Sequence, residues 1–62
     1  MSAWNKAEEL GAVCRSGINW TWANGFTRDK AEEFIRWLEA NGYEHRGIYP
    51  EQGCNLCRVR FR

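Results

Sequence analysis

Hydrophobic residues recur at helical spacing near the start of the chain. One apolar stripe contains Ala3, Ala7, Leu10 and Cys14. These residues repeat at i, i+4, i+7 and i+11, which predicts a helix over Ala3–Arg15. Ser2 is suited to the N-cap because its hydroxyl can accept a bond from a free backbone N–H, and Gly17 is a stop signal.

A second helical pattern covers Arg28–Asn41. Its buried stripe consists of Ala31, Phe34, Ile35 and Leu38. Thr27 precedes it as an N-cap, Asp29 places negative charge in the first turn, and Gly42 follows in the C-terminal stop position.

A period of two, typical of strands, appears between the two helical segments. It predicts a strand over Ile18–Ala23, followed by a turn at Asn24-Gly25. Trp20 and Trp22 alternate with polar residues in this strand. We therefore assign both indoles to the face of the sheet that packs on the core.

Two further strands are predicted at the C-terminal end, over Tyr43–Tyr49 and Asn55–Phe61, with the turn 50–53 between them. The last strand has the clearest alternation in the chain. One face carries Asn55, Cys57, Val59 and Phe61. The other carries Leu56, Arg58, Arg60 and Arg62.

These elements predict an α+β fold in the order α-β-α-β-β. A three-stranded antiparallel sheet carries both helices on one face, and the last strand lies between the other two. At 62 residues the whole chain, 1–62, is expected to be one small domain.

The composition narrows the class of protein. Nine of the 62 residues are aromatic and four of these are Trp, a heavy load that a small core explains for most of the rings. The net charge of +1 favours neither nucleic acid nor an anionic membrane as a partner. The first residues are polar and form no hydrophobic signal core, so we expect a cytoplasmic location.

Three cysteines cannot all pair within one chain, and we expect reduced thiols. Cys54 and Cys57 form a C-x-x-C motif. Together with Cys14 and His45 they could supply the four S and N ligands that zinc prefers, which leaves a zinc-stapled module as one alternative. The competing interpretation is that Cys57 packs inward from a regular strand as a small hydrophobic residue.

No set of residues predicts catalysis. His45 is the single histidine, and Asp29, the single aspartate, belongs to a helix start. A Ser-His-Asp set, a paired carboxylate site and a glycine-rich phosphate loop are all missing from the pattern. We therefore expect a protein that is not an enzyme and that needs no cofactor.

The candidate partner-binding residues are Arg46, Arg58, Arg60, Arg62, Trp4 and Trp37. Guanidinium groups spaced along one strand face suit phosphates or carboxylates, and Trp and Arg are enriched at interface hot spots. The same arginines could instead form a solvated sheet face that deters aggregation.

The sequence thus predicts a small non-enzymatic protein-binding module. It would act as an inhibitor or adaptor of a larger assembly, one that handles nucleic acid or serves host defence, of phage or bacterial origin. The main alternative is a domain that binds single-stranded nucleic acid or RNA through Arg58, Arg60 and Arg62. The assignment of Trp20 and Trp22 to the core opposes that alternative, because bases would need the rings beside the arginines. A homodimer paired at a strand edge is a further alternative.

Overall fold

Two helices and a four-stranded antiparallel sheet form the part of the chain described by a computed structural model, residues 2–53 and 55–62. The elements in chain order are α1 (Ala3–Glu9), β1 (Val13–Ser16), β2 (Thr21–Phe26), α2 (Arg28–Ala40), β3 (His45–Pro50) and β4 (Cys57–Phe61). The strands lie in the order β1-β2-β4-β3, and each pairs antiparallel with its neighbour.

The predicted α+β class is therefore confirmed, whereas the predicted three-stranded sheet and the order α-β-α-β-β are wrong. The described residues follow the order α-β-β-α-β-β. The additional strand is β1, which joins the sheet at its outer edge beside β2. The last strand, β4, lies between β2 and β3, the position predicted for it.

The predicted first helix, Ala3–Arg15, is wrong in its second half. Ser2 caps α1 as predicted by accepting a bond from the N–H of Asn5, but the helix ends at Glu9. Gly11 follows with a φ of +96°, a left-handed conformation that glycine adopts without strain and that turns the chain out of the helix. Residues 13–16 then form β1, in which Cys14 is buried and its neighbours are exposed.

The second predicted strand is displaced along the chain. β2 covers Thr21–Phe26 instead of Ile18–Ala23, because residues 17–20 form the turn of a β1–β2 hairpin closed by a bond from Gly17 N to Trp20 O at 2.7 Å. The predicted Asn24-Gly25 turn is a bulge inside β2, where the pairing with β4 shifts register. Gly25 has a φ of +93°, and its N–H donates to the Glu51 carboxylate at 2.9 Å.

The second helix is confirmed as predicted, apart from its last residue. α2 begins after the Thr27 cap and ends at Ala40, with Asn41 as its C-cap. The C-terminal strands are also confirmed, with different bounds: β3 begins at His45 and ends at Pro50, one residue beyond the predicted end, and β4 begins at Cys57.

The core lies between the helices and one face of the sheet. The largest fully buried side chains are Phe26, Phe34, Leu38 and Val59. Phe34 is at the centre of this cluster: its ring centroid lies 5.2 Å from that of Phe26 and 5.4 Å from that of Phe61. Ala3 and Ala7 of α1 complete the core with little volume, which allows the short helix to lie close to the sheet.

Burial of Cys14 makes the stability of the folded protein depend on pH. Desolvation, assisted by the nearby Glu8 carboxylate, raises the pKa of the Cys14 thiol from 9.0 to about 11. Because the folded state favours the protonated thiol, its contribution to stability is complete below pH 9 and is lost as pH rises toward 11.

We therefore expect the free energy of unfolding to fall more steeply between pH 9 and 11 in the wild type than in Cys14→Ala. Urea denaturation followed by circular dichroism at several pH values measures both slopes. Identical pH dependence in the two proteins would show that the Cys14 thiol does not titrate as described.

None of the helices in the described part of the chain is both long and apolar enough to cross a membrane.

Candidate functional site

The face of the sheet opposite the helices is built from alternating arginines and aromatic rings. In β4, Cys57, Val59 and Phe61 are buried, so Arg58 and Arg60 point to the other side. The register places Trp22 opposite Arg60, and Asn24 opposite Arg58. We call this surface the Arg–Trp face, and it comprises Trp20, Trp22, Arg46, Tyr49, Arg58, Arg60 and Arg62.

The prediction that Trp20 and Trp22 belong to the core is wrong. Both indoles are half-buried, but they lie on the Arg–Trp face and not among the core residues. The inward-facing residues of β2 have the opposite parity to Trp22, and Ala23, the residue directly after Trp22, is completely buried among them. A methyl group leaves room for α2 to pack on the sheet, whereas an indole there would not.

Each indole of the Arg–Trp face lies against more than one guanidinium group. Arg58 is 4.5 Å and Arg60 5.2 Å from the centroid of Trp22, measured from the guanidinium carbon. Arg62 lies 4.4 Å and Arg60 5.3 Å from the centroid of Trp20. Arg46, on β3, adds a further contact to Trp20 at 5.2 Å. These are cation–π distances, each worth about 0.5–1 kcal/mol at an exposed position.

Arg60 occupies the middle of this arrangement. Its guanidinium carbon is 5.6 Å from the centroid of Tyr49, and one terminal nitrogen donates to the Tyr49 hydroxyl at 3.2 Å. Its Nε is shielded from solvent and has no hydrogen-bond partner among the described residues. Tyr49 in turn makes an edge contact with Trp22 at 6.0 Å between centroids.

Carboxylates are sparse on the Arg–Trp face. Within the described ranges, Arg62 is the one arginine of the face with a carboxylate partner, through Nε to Glu44 at 3.4 Å. Glu51, at the end of β3, is engaged by the backbone N–H of Gly25. Arg46 and Arg58 are exposed, so their charges remain available to an anionic ligand.

Charge is divided between the two layers of the fold. The helices carry the acidic residues Glu8, Glu9, Asp29, Glu32, Glu33 and Glu39 against the basic residues Lys6, Arg28, Lys30 and Arg36. The strands and turns carry Arg15, Arg46, Arg58, Arg60 and Arg62 against Glu44 and Glu51. The net charge of +1 is therefore the result of an acidic helix layer and a basic sheet layer.

The structure brings four of the six predicted partner-binding residues together, namely Arg46, Arg58, Arg60 and Arg62. Trp4 and Trp37 lie on the helices, on the other side of the sheet. Trp37 stacks on Phe34 and Tyr43 at 6.5 and 5.7 Å between centroids. Trp4 is 37% exposed, and its Nε1 donates to Glu8 at 3.2 Å.

Sequence reasoning missed several residues of this surface. The sequence pattern favours the other face for Trp20 and Trp22, and it does not place Tyr49 beside the arginines. Arg15, which the sequence places in a helix, lies at the edge of this face, on β1 opposite Trp22. The signal that could have identified the face is Ala23, a small residue directly after Trp22, which is a better candidate than an indole for the side covered by a helix.

The four residues proposed as zinc ligands are separated into different environments where they are described. Cys14 and Cys57 are free thiols buried in the core, on β1 and β4. His45 interacts with Glu39 at 3.1 Å through Nε2, and its Nδ1 accepts from Gly47 N at 3.3 Å. Cys54 lies outside the described residues. Within residues 2–53 and 55–62, no group of three or more His, Cys, Asp or Glu side chains is placed to hold a metal ion.

Comparisons with protein-family models, with curated proteins and with solved structures find no match to this chain.

Proposed function

We propose that this protein binds single-stranded nucleic acid on its Arg–Trp face. The observation that carries the proposal is the placement of Trp20, Trp22 and Tyr49 among the arginines of β3 and β4, on the side of the sheet without helices. The sequence had opposed this function because it assigned the two indoles to the core, and that objection no longer holds.

The chemistry of the face suits an unpaired strand. Indole and phenol rings stack on bases of any sequence, and single-stranded nucleic acid leaves its bases free to stack. Guanidinium groups offer planar pairs of N–H donors that match phosphate oxygens. Along a strand, residues two apart repeat at about 6.5–7 Å. Trp20 and Trp22 form one such row at β2, beside the row of Arg58, Arg60 and Arg62 at β4, so bases and phosphates find partners in adjacent rows.

The distribution of charge supports the same proposal. A net charge of +1 predicts weak attraction to nucleic acid only if the charge is spread evenly. Here the arginines are concentrated on the sheet layer and most carboxylates lie on the helices. An approaching polyanion therefore meets a locally basic surface.

A fluorescence anisotropy titration of labelled twelve-nucleotide oligo(U) and oligo(dT) at low salt tests this function. We expect saturable binding that weakens with added salt, because phosphate contacts release counterions. A blunt duplex of the same length should bind more weakly, since its bases are already stacked. Absence of binding at low salt would refute the proposal, and so would binding that is unaffected when Arg58 and Arg60 are both replaced by alanine.

Contact with an acidic protein partner is a second candidate, and it would use the same surface. The observation in its favour is a pair of exposed apolar side chains at the β1 side of the sheet, Val13 and Ile18, which are 64% and 91% accessible to solvent. Apolar side chains beside Trp and Arg are typical of protein interfaces, whereas they contribute nothing to phosphate binding. Weakened oligonucleotide binding in an Ile18→Ser, Val13→Ser variant would place the apolar residues in the nucleic-acid site. Unchanged binding would leave them available to a protein.

The Glu44 carboxylate is expected to weaken the binding of nucleic acid. It holds Arg62 through an exposed ion pair at 3.4 Å, which competes with any phosphate for the same guanidinium. We expect Glu44→Gln to tighten oligonucleotide binding by about 1.5- to 5-fold, the range that corresponds to an exposed pair. Anisotropy at low salt measures the change.

Glu33→Gln on α2 is the matched control, because it alters the net charge equally at a distance from the Arg–Trp face. An equal gain in both variants would show that only the total charge matters, and the local competition would then be disproved.

A further inference from the structure

We infer that the arginines of the Arg–Trp face have two different tasks: Arg60 is a positioning residue that fixes the aromatic rings, while Arg58 and Arg62 leave their rings to bind phosphates. This inference rests on the proposed function and goes beyond it, because the three arginines of the row look equivalent in the sequence. Their surroundings are different.

Arg60 has the contacts of a fixed group. Its guanidinium carbon lies within 5.2–5.6 Å of the centroids of three rings, Trp20, Trp22 and Tyr49. It donates to the Tyr49 hydroxyl, and it is only half exposed to solvent, with a shielded Nε. To reach a phosphate in solution it would have to give up all of these contacts, and a single ionic contact does not replace them.

Arg58 and Arg62 have the contacts of mobile groups. Both are exposed, and each guanidinium lies over one indole, Arg58 over Trp22 and Arg62 over Trp20. Arg58 gives up one cation–π contact when it turns to a phosphate. Arg62 gives up one such contact and the exposed bond to Glu44. A phosphate supplies a charge-assisted bidentate bond in exchange.

The exchange couples phosphate binding to base stacking. In the free protein Arg60 and one outer arginine, Arg58 or Arg62, contact each indole, and Arg46 also contacts Trp20. When the outer arginine turns to a phosphate, the ring surface it covered becomes free for a base. Arg60 stays in place and keeps the two indoles in position. The ligand this arrangement fits is an unpaired strand with at least two adjacent bases and the phosphates that flank them.

The salt dependence of binding separates the two tasks. Each phosphate neutralised on a single strand contributes about 0.7 to the slope of log affinity against log salt. Glutamine removes the charge at any of the three positions but keeps a planar N–H donor. We therefore expect Arg58→Gln and Arg62→Gln each to reduce the slope by about 0.7. We expect Arg60→Gln to leave the slope at the wild-type value while it weakens affinity by about fivefold or more, the loss of stacking with one base.

The experiment is an anisotropy titration of twelve-nucleotide oligo(U) at four salt concentrations for the wild type and the three glutamine variants. An equal reduction of slope in all three variants would overturn the division of tasks while the proposed function stands. An unchanged affinity in Arg60→Gln would overturn it as well. No binding by the wild type would refute the proposed function itself.

Far-UV circular dichroism shows whether Arg60→Gln is folded. If it is not, a second variant tests the same inference. Tyr49→Phe removes the hydroxyl that accepts from Arg60 and leaves every charge in place. We expect weaker oligo(U) binding with an unchanged salt slope. Affinity equal to that of the wild type would show that Arg60 needs no fixed position.

Discussion

Replacement of Trp22 by alanine is expected to weaken single-strand binding by about 5- to 150-fold, the cost of losing a stacking partner for one base. Trp22 contacts two arginines and a second aromatic ring on the face. Arg58 lies over it, Arg60 is beside it, and Tyr49 meets it at 6.0 Å between centroids. Its removal takes away a stacking surface and also the ring against which the two arginines rest.

Trp4→Ala is the matched control for this experiment. It removes an indole from α1, on the helix side of the sheet. We expect anisotropy titrations of Trp4→Ala to give the wild-type affinity. Equal losses in the two variants would mean that the nucleic acid does not use the Arg–Trp face, and a wild-type affinity in Trp22→Ala would mean that no base stacks on this ring.

Replacement of Phe34 by alanine is expected to destabilise the fold strongly. The Phe34 ring is completely buried, and it contacts Phe26, Trp37 and Phe61. Truncation of such a residue costs about 3–5 kcal/mol, from lost transfer free energy and from the cavity that remains. A chain of 62 residues has a total stability of about 3–9 kcal/mol, so the loss removes about a third of it or more.

Urea denaturation followed by circular dichroism measures this effect. Ile18→Ala is the control, because its side chain is 91% exposed in the β1–β2 turn and should change stability by less than about 0.5 kcal/mol. A Phe34→Ala variant with a midpoint close to that of the wild type would show that the core is not organised around this ring.

The sequence predicts α2 well because several independent signals agree there. The Thr27 cap, the apolar stripe and Gly42 all indicate the same bounds, and the helix is long enough for the period of 3.6 to be clear. The α1–β1 region is different. Cys14 continues the spacing of Ala3, Ala7 and Leu10 by coincidence, since Gly11 ends the helix and the residues after it pair with β2.

The Arg–Trp face illustrates a second limit on sequence reasoning. Alternation predicts that Trp20 and Trp22 share a face, and they do, but alternation does not say which face the helices cover. Hydrophobicity suggested the core. The structure instead covers these rings with arginines from another strand, and that arrangement depends on the register of β2 with β4. Register is a tertiary property, so the sequence of residues 20–22 alone does not determine it. The grouping of Arg58, Arg60 and Arg62 on one side, by contrast, follows from a single strand and was predictable.

The most direct test of the account uses the four indole N–H groups as reporters in a ¹H–¹⁵N NMR titration with oligo(U). We expect the indole signals of Trp20 and Trp22 to shift together as the oligonucleotide is added. The signals of Trp4 and Trp37, on the helix side of the sheet, should stay where they are. Shifts confined to Trp4 and Trp37, or no shift of any indole signal at low salt, would contradict the claim that the Arg–Trp face binds single-stranded nucleic acid.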